Sequence, residues 1–75
     1  LASPREIFYN ALKHRAVGIL LLHNHPSGDP VPSKEDLLLT RRIADTGQLV
    51  GIPLVDHIIL GDNRYHSMKE NGYLK

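Results

Sequence analysis

The chain has 75 residues, 41% of them hydrophobic and 23% charged, with nine basic against eight acidic side chains and a net charge of +1. That length and balance give room for one small folded core and exclude both a two-core protein and a wholly disordered chain. Cysteine is absent, which excludes disulfides and thiolate metal sites. The basic residues are scattered, with only Arg41 and Arg42 adjacent, so the charge pattern does not support a dedicated DNA-binding surface. No apolar run approaches the ~20 residues of a membrane helix and no signal peptide is visible. The expectation is therefore a cytoplasmic domain with no membrane association.

In chain order, Ser3-Pro4-Arg5-Glu6 reads as a helix start, with Ser3 as the N-cap, Pro4 in the first helical position and Glu6 completing a capping box. Ile7, Phe8, Ala11 and Leu12 recur at helical spacing, and the helix is expected to run to about His14. Ala16 to Leu22 is a continuous apolar segment, which reads as a strand buried on both faces, with Gly18 permitting close helix packing. It ends in His23-Asn24-His25, and the following stretch from Pro26 to Pro32 holds three prolines and Gly28, the composition of a stiff loop.

Ser33-Lys34-Glu35-Asp36 is a second capping signature. It opens a helix patterned by Leu37, Leu38, Ile43, Ala44 and Leu49, weakened at Gly47 and ended by Gly51 and Pro53. Leu54 to Leu60 reads as a second strand, Gly61-Asp62-Asn63 as a turn, Tyr65 to Met68 as a short return strand, and Lys69 to Lys75 as a last helical turn. The order helix, strand, loop, helix, strand, strand points to α/β layers. Residues 1–75 read as one domain without repeat or linker.

Five histidines in so short a chain single out the stretch from His23 to Asp36. His23 and His25 sit at i and i+2 where a strand ends, so in an extended backbone both rings point to one side and can meet one ion. The stiff loop can fold Asp36, on the first turn of the next helix, back towards them. Two imidazoles and a carboxylate leave one tetrahedral position open for water, the mark of a catalytic zinc site. The plain alternatives stay beside this reading. The two histidines are also what closes a strand in polar residues, and Ser-x-x-Asp is in itself a capping box.

The run His23-x-His25, seven residues, Ser33, two residues, Asp36 resembles the signature of the JAMM (MPN-plus) metalloprotease family. The longer string His-Asn-His-Pro-Ser-Gly-Asp-Pro-x-Pro-Ser-x-x-Asp is similar to its bacterial RadC branch, and the similarity continues through Thr40-Arg41-Arg42, Gly51-Ile52 and Asp56 to Asp62. The resemblance implies a mixed β-sheet flanked by helices, akin to cytidine deaminases, with zinc held by His23, His25 and Asp36. It implies that Ser33 helps to stabilise the tetrahedral intermediate and that a glutamate on an earlier strand acts as general base. It also implies hydrolysis of a peptide or isopeptide bond in a protein substrate; the label attached to the RadC branch is DNA repair. Glu6 is not the counterpart of that glutamate, because it occupies a capping position on the first helix. Against the family pattern the sequence looks truncated, without the strand that carries the base.

Asp56-His57 has two readings: a buried, hydrogen-bonded strand residue pair, or a pair that orients a zinc ligand from behind. Ser33 is read as capping its helix and touching the substrate oxyanion together. His14 and His66 are read as surface residues, and Phe8, Tyr9, Tyr65 and Tyr73 as packing. The literal string His-Asn-His is not the nuclease motif of that spelling, whose residues are dispersed over a longer unit, and deaminase chemistry needs the missing cysteines. The second functional reading is a non-catalytic DNA-repair or protein-interaction module that keeps the fold, with or without the metal.

Overall fold

The computed structural model of the chain describes residues 3–75. Its elements are α1 (Pro4–Lys13), β1 (Ile19–Asn24), α2 (Lys34–Val50), β2 (Leu54–Gly61) and β3 (Arg64–Ser67). The strands form one mixed sheet in the order β1-β2-β3, with β1 parallel to β2 and β2 antiparallel to β3. This is an α/β fold, a mixed sheet with helices, as the sequence led one to expect. No described helix is long and apolar enough to cross a membrane.

The helix ends follow local chemistry. Ser3 caps α1 by accepting the Glu6 amide at 3.4 Å, with Pro4 in the first turn. Ser33 and Asp36 close a complete capping box on α2, and Gly51 ends that helix in the left-handed region at φ 78. After Met68 the chain makes hydrogen-bonded turns, such as Tyr73 N to Met68 O at 2.9 Å, and not the short helix expected there.

Phe8 and Ala11 of α1, Ile43 of α2, Ile52, and Ile19, Leu21 and Leu54 of the sheet form one buried cluster. Each larger apolar side chain buried there contributes about 1.5–3 kcal/mol. Both helices therefore cover the same sheet face, and this corrects the reading of β1 as buried on both sides. Leu20 and Leu22 are 55% and 61% exposed. Beside them on the uncovered face lie Asp56 and Ile58 of β2, and beyond these the paired Leu60 and Tyr65. β1 also begins later than expected and takes in His23 and Asn24. Gly18 precedes it and faces Val55 and Pro53, not a helix. Of the aromatic residues, Phe8 packs as read, whereas Tyr9, Tyr65 and Tyr73 are exposed.

Gly47 is a packing residue. It is buried in α2, and a Cβ there would run into the Ile52 carbonyl, the same stretch of backbone whose amide bonds Gly47 O at 2.9 Å. Helix propensity alone favours alanine by about 1 kcal/mol. Gly47→Ala is nonetheless expected to destabilise the protein by about 1–3 kcal/mol, because the obstacle is backbone. Urea unfolding checks this; a stabilised variant would show that the helix and the loop after it can move apart.

Candidate metal centre

Strand alternation turns His23 to the helix-covered face, in line with Leu21, while Asn24 is exposed. His25 follows the strand, and its amide is still tied to Leu60 O at 3.0 Å. Asp36, on the first turn of α2, is buried. The parallel β1-α2-β2 layout thus brings the N-terminus of α2 over the end of β1. Ligand-type atoms of His23, His25 and Asp36 all lie within 4.8 Å of one another, and the two imidazole rings meet edge to face with centroids 4.8 Å apart.

Each oxygen of Asp36 has its own task. Oδ1 lies 3.1 Å from His23 Nδ1. Oδ2 lies 2.9 Å from His25 Nε2 and also accepts the Ser33 amide at 2.8 Å. The capping and site readings of Asp36 are therefore compatible, since one carboxylate does both. Burial pushes this carboxyl up, but the Ser33 amide and hydroxyl, then His25 and His23, outweigh it and hold the carboxyl below its ordinary value.

The imidazoles fit a shared cation. His25 Nδ1 is 2.9 Å from the Asp29 carbonyl. A carbonyl only accepts, so Nδ1 carries a proton and Nε2 is the nitrogen turned to Asp36. The Asp29 carbonyl first, and Asp36 after it, raise the His25 pKa against the effect of desolvation. His23 Nδ1 is buried and has no hydrogen-bond partner, although Asp36 Oδ1 is near. A buried nitrogen without a hydrogen-bond partner, 3.1 Å from a carboxylate oxygen, suits two donor atoms converging on a third body. Two imidazole nitrogens and a carboxylate are a donor set for a divalent cation of intermediate softness.

The loop between the site elements is clamped. Gly28 has φ 84, a region that favours glycine. Its carbonyl accepts the Asp62 amide at 2.9 Å and Arg64 Nη2 at 3.4 Å. A Cβ on Gly61 would collide with that carbonyl and with Pro30. The β2–β3 turn thus holds the His25 loop from outside.

Behind the trio the two members of the Asp56-His57 pair part company. His57 shares the covered face with His23, the rings lying 20° from parallel at 6.1 Å. It is fully buried, and its Nδ1 is 2.8 Å from Thr40 Oγ1. Burial, with lesser contributions from His23 and His25, lowers its pKa against the pull of Asp36 and Asp56. Asp56 pairs with Leu20 on the opposite face, where it accepts the Ser67 hydroxyl and the amides of His57 at 2.7 Å and Lys69 at 3.0 Å. Its described hydrogen bonds serve the hairpin and not the trio. His14 is exposed and His66 half-buried. The sequence places Thr40 in the family-like run without giving it a role, although its position one helical turn after Asp36 is a usable signal.

A mixed sheet with two helices and a His-His-Asp group at the end of a parallel strand is compatible with a partial JAB-type α/β domain. The RadC-like JAB domain family matches residues 1–73, and the chain belongs to it. The chain is 58% identical over 73 residues to a UPF0758 protein of Listeria monocytogenes, covering 97% of this chain and 33% of that protein. It is 57% identical over 74 residues to a UPF0758 protein of Desulfitobacterium hafniense, covering 99% of this chain and 33% of the relative. A UPF0758 protein of Bacillus licheniformis is 54% identical over 74 residues, with the same coverage. The chain spans about a third of the length of the curated relatives it matches.

Asp56 has a testable pH signature. Burial pushes its carboxyl up, but donation by Ser67 and then by the Lys69 and His57 amides takes it below the ordinary 3.8. A depressed native pKa stabilises the fold above the unfolded value, and this contribution is lost as pH falls through the native one. Asp56→Asn is expected to lower stability by about 1–3 kcal/mol at pH 7, with the gap to wild type closing in acid below 3.8. Urea unfolding across that range measures it; a gap independent of pH would assign the loss to packing.

Proposed function

We propose that this chain is the zinc-holding portion of a RadC-type metallopeptidase that hydrolyses a peptide or isopeptide bond. The observation that carries the reading is the convergence of His23 Nδ1, His25 Nε2 and the Asp36 carboxylate, with the His25 tautomer set in advance by the Asp29 carbonyl. Bound by this trio, zinc would polarise a carbonyl group and acidify a water molecule.

The chain's own residues supply position and one hydrogen-bond donor. Asp36 is fixed by its cap and His25 by its carbonyl partner, so little reorganisation is needed when an ion enters. Ser33 is exposed beside the trio. Its Oγ accepts the Asp36 amide at 3.0 Å, and its hydroxyl proton, which lies on the Asp36 carboxylate side, would turn to an oxyanion developing on the substrate. Glu6, Glu35 and Glu70 are exposed and lie outside the trio. The general base is therefore assigned to the part of the relatives' length that this chain does not span. The substrate is a protein or peptide with its scissile carbonyl between the trio and Ser33.

Elemental analysis of protein prepared without added metal is expected to give about one zinc per chain, in line with one three-residue donor set. Asp36→Asn is expected to weaken zinc binding by a factor of 10 or more, equivalent to at least about 1.4 kcal/mol. A folded sample that takes up no zinc when supplied with it would overturn the reading. In a polypeptide that also carries the base, Ser33→Ala is expected to lower kcat by about 10²–10³ with zinc content unchanged. An unchanged kcat would leave Ser33 as a helix cap only.

A further inference from the structure

We infer that Thr40 and His57 form a positioning relay that holds the His-His-Asp trio in register from beneath, so that the site is preorganised before any ion arrives. The inference deepens the metallopeptidase reading and rests on it where metal affinity is concerned.

Proton bookkeeping fixes the direction of the relay. Thr40 Oγ1 lies 2.7 Å from the Asp36 carbonyl and 2.8 Å from His57 Nδ1. A hydroxyl has one proton, and the carbonyl can only accept it, so His57 Nδ1 must be the donor to Thr40. His57 therefore carries a proton on Nδ1, and with no acceptor in reach of the buried Nε2 the ring is the neutral tautomer. Its Nε2, buried and without a hydrogen-bond partner, is the nitrogen this assignment leaves bare.

Geometry says what the relay holds. The trio is split between two elements: His23 and His25 come from β1 and the loop after it, Asp36 from α2. Thr40 sits one turn below Asp36 on α2, and His57 comes from the middle of β2, hydrogen-bonded to β1. The Thr40–His57 bond thus ties the first turns of α2 to the sheet. The His57 ring lies beside His23 at 6.1 Å, so the same residue also limits the ring that must face Asp36. Thr40 and His57 are only 3% and 0% exposed. In a core this small, apolar side chains of the same shape would pack as well and leave no nitrogen unsatisfied. A polar pair with one bare nitrogen is what orientation requires and burial alone does not.

The test compares Thr40→Val, which keeps the shape and removes the hydroxyl, with Thr40→Ser, which keeps the hydroxyl. Zinc affinity is measured by chelator competition, and the imidazole tautomers of the metal-free protein by nitrogen NMR. Thr40→Val is expected to lose about 10–100-fold in zinc affinity, the range for groups that orient ligands, while Thr40→Ser stays within about threefold of wild type. In the metal-free wild type, His57 is expected to carry its proton on Nδ1. Wild-type affinity in Thr40→Val, or equal losses in both variants, would overturn the relay. So would a proton on His57 Nε2, and that measurement decides the matter even if Thr40→Val fails to fold. A wild type that binds no zinc but shows the Nδ1 proton would sink the metallopeptidase reading and leave the relay standing as a structural device.

Discussion

The Asp36 carboxylate is the point on which the rest of the molecule turns. One of its oxygens closes the N-terminus of α2 through the Ser33 amide and meets His25, while the other faces His23. Helix initiation and the candidate site are thus built from the same few atoms. A negative group at a helix N-terminus is favoured by the unsatisfied amides and the macrodipole, so α2 would want an acidic residue there with no metal in view. The fold exploits that local demand by aiming the same residue at the end of a neighbouring strand.

Precision in so small a protein comes from cross-ties between backbone segments and not from a large core. Gly47 brings α2 against the chain that leads into β2. The Gly28 carbonyl pins the His25 loop to the β2–β3 turn. Thr40 joins α2 to β2. The Gly28 and Thr40 ties lie next to the trio and the Gly47 tie at the far end of α2, and each uses a residue too small or too polar to add much to the hydrophobic cluster. Stability and site geometry are therefore supplied by largely different residues, the first by Phe8, Ile19, Leu21, Ile43 and Leu54 and the second by glycine, threonine and histidine.

Much of this was legible in the sequence. Capping residues, the proline-rich loop and the turn glycines marked the element boundaries, because each of those residue types has a local conformational reason for its place. The i, i+2 spacing of His23 and His25 placed both rings on one side, and the motif brought in Asp36. What escaped was whatever depends on which sheet face is covered. The run from Ala16 to Leu22 is apolar throughout, and such a run reads alike whether one or two layers cover it. Asp56 and His57 are neighbours in sequence, yet alternation sends them to opposite faces, one to the hairpin and one to the trio. The role of Thr40 depends on a partner 17 positions away, which no local pattern encodes.

The uncovered face of the sheet has a consequence for the behaviour of the polypeptide in solution. Leu20, Leu22, Leu60 and Tyr65 present an apolar surface, with β1 on the outside of the strand order. Apolar surface beside unpaired strand amides is a template for association, and a net charge of only +1 gives little repulsion to oppose it. The apparent stability and solubility of this polypeptide on its own should therefore vary with its concentration, as they do for any chain whose folded state has an adhesive side.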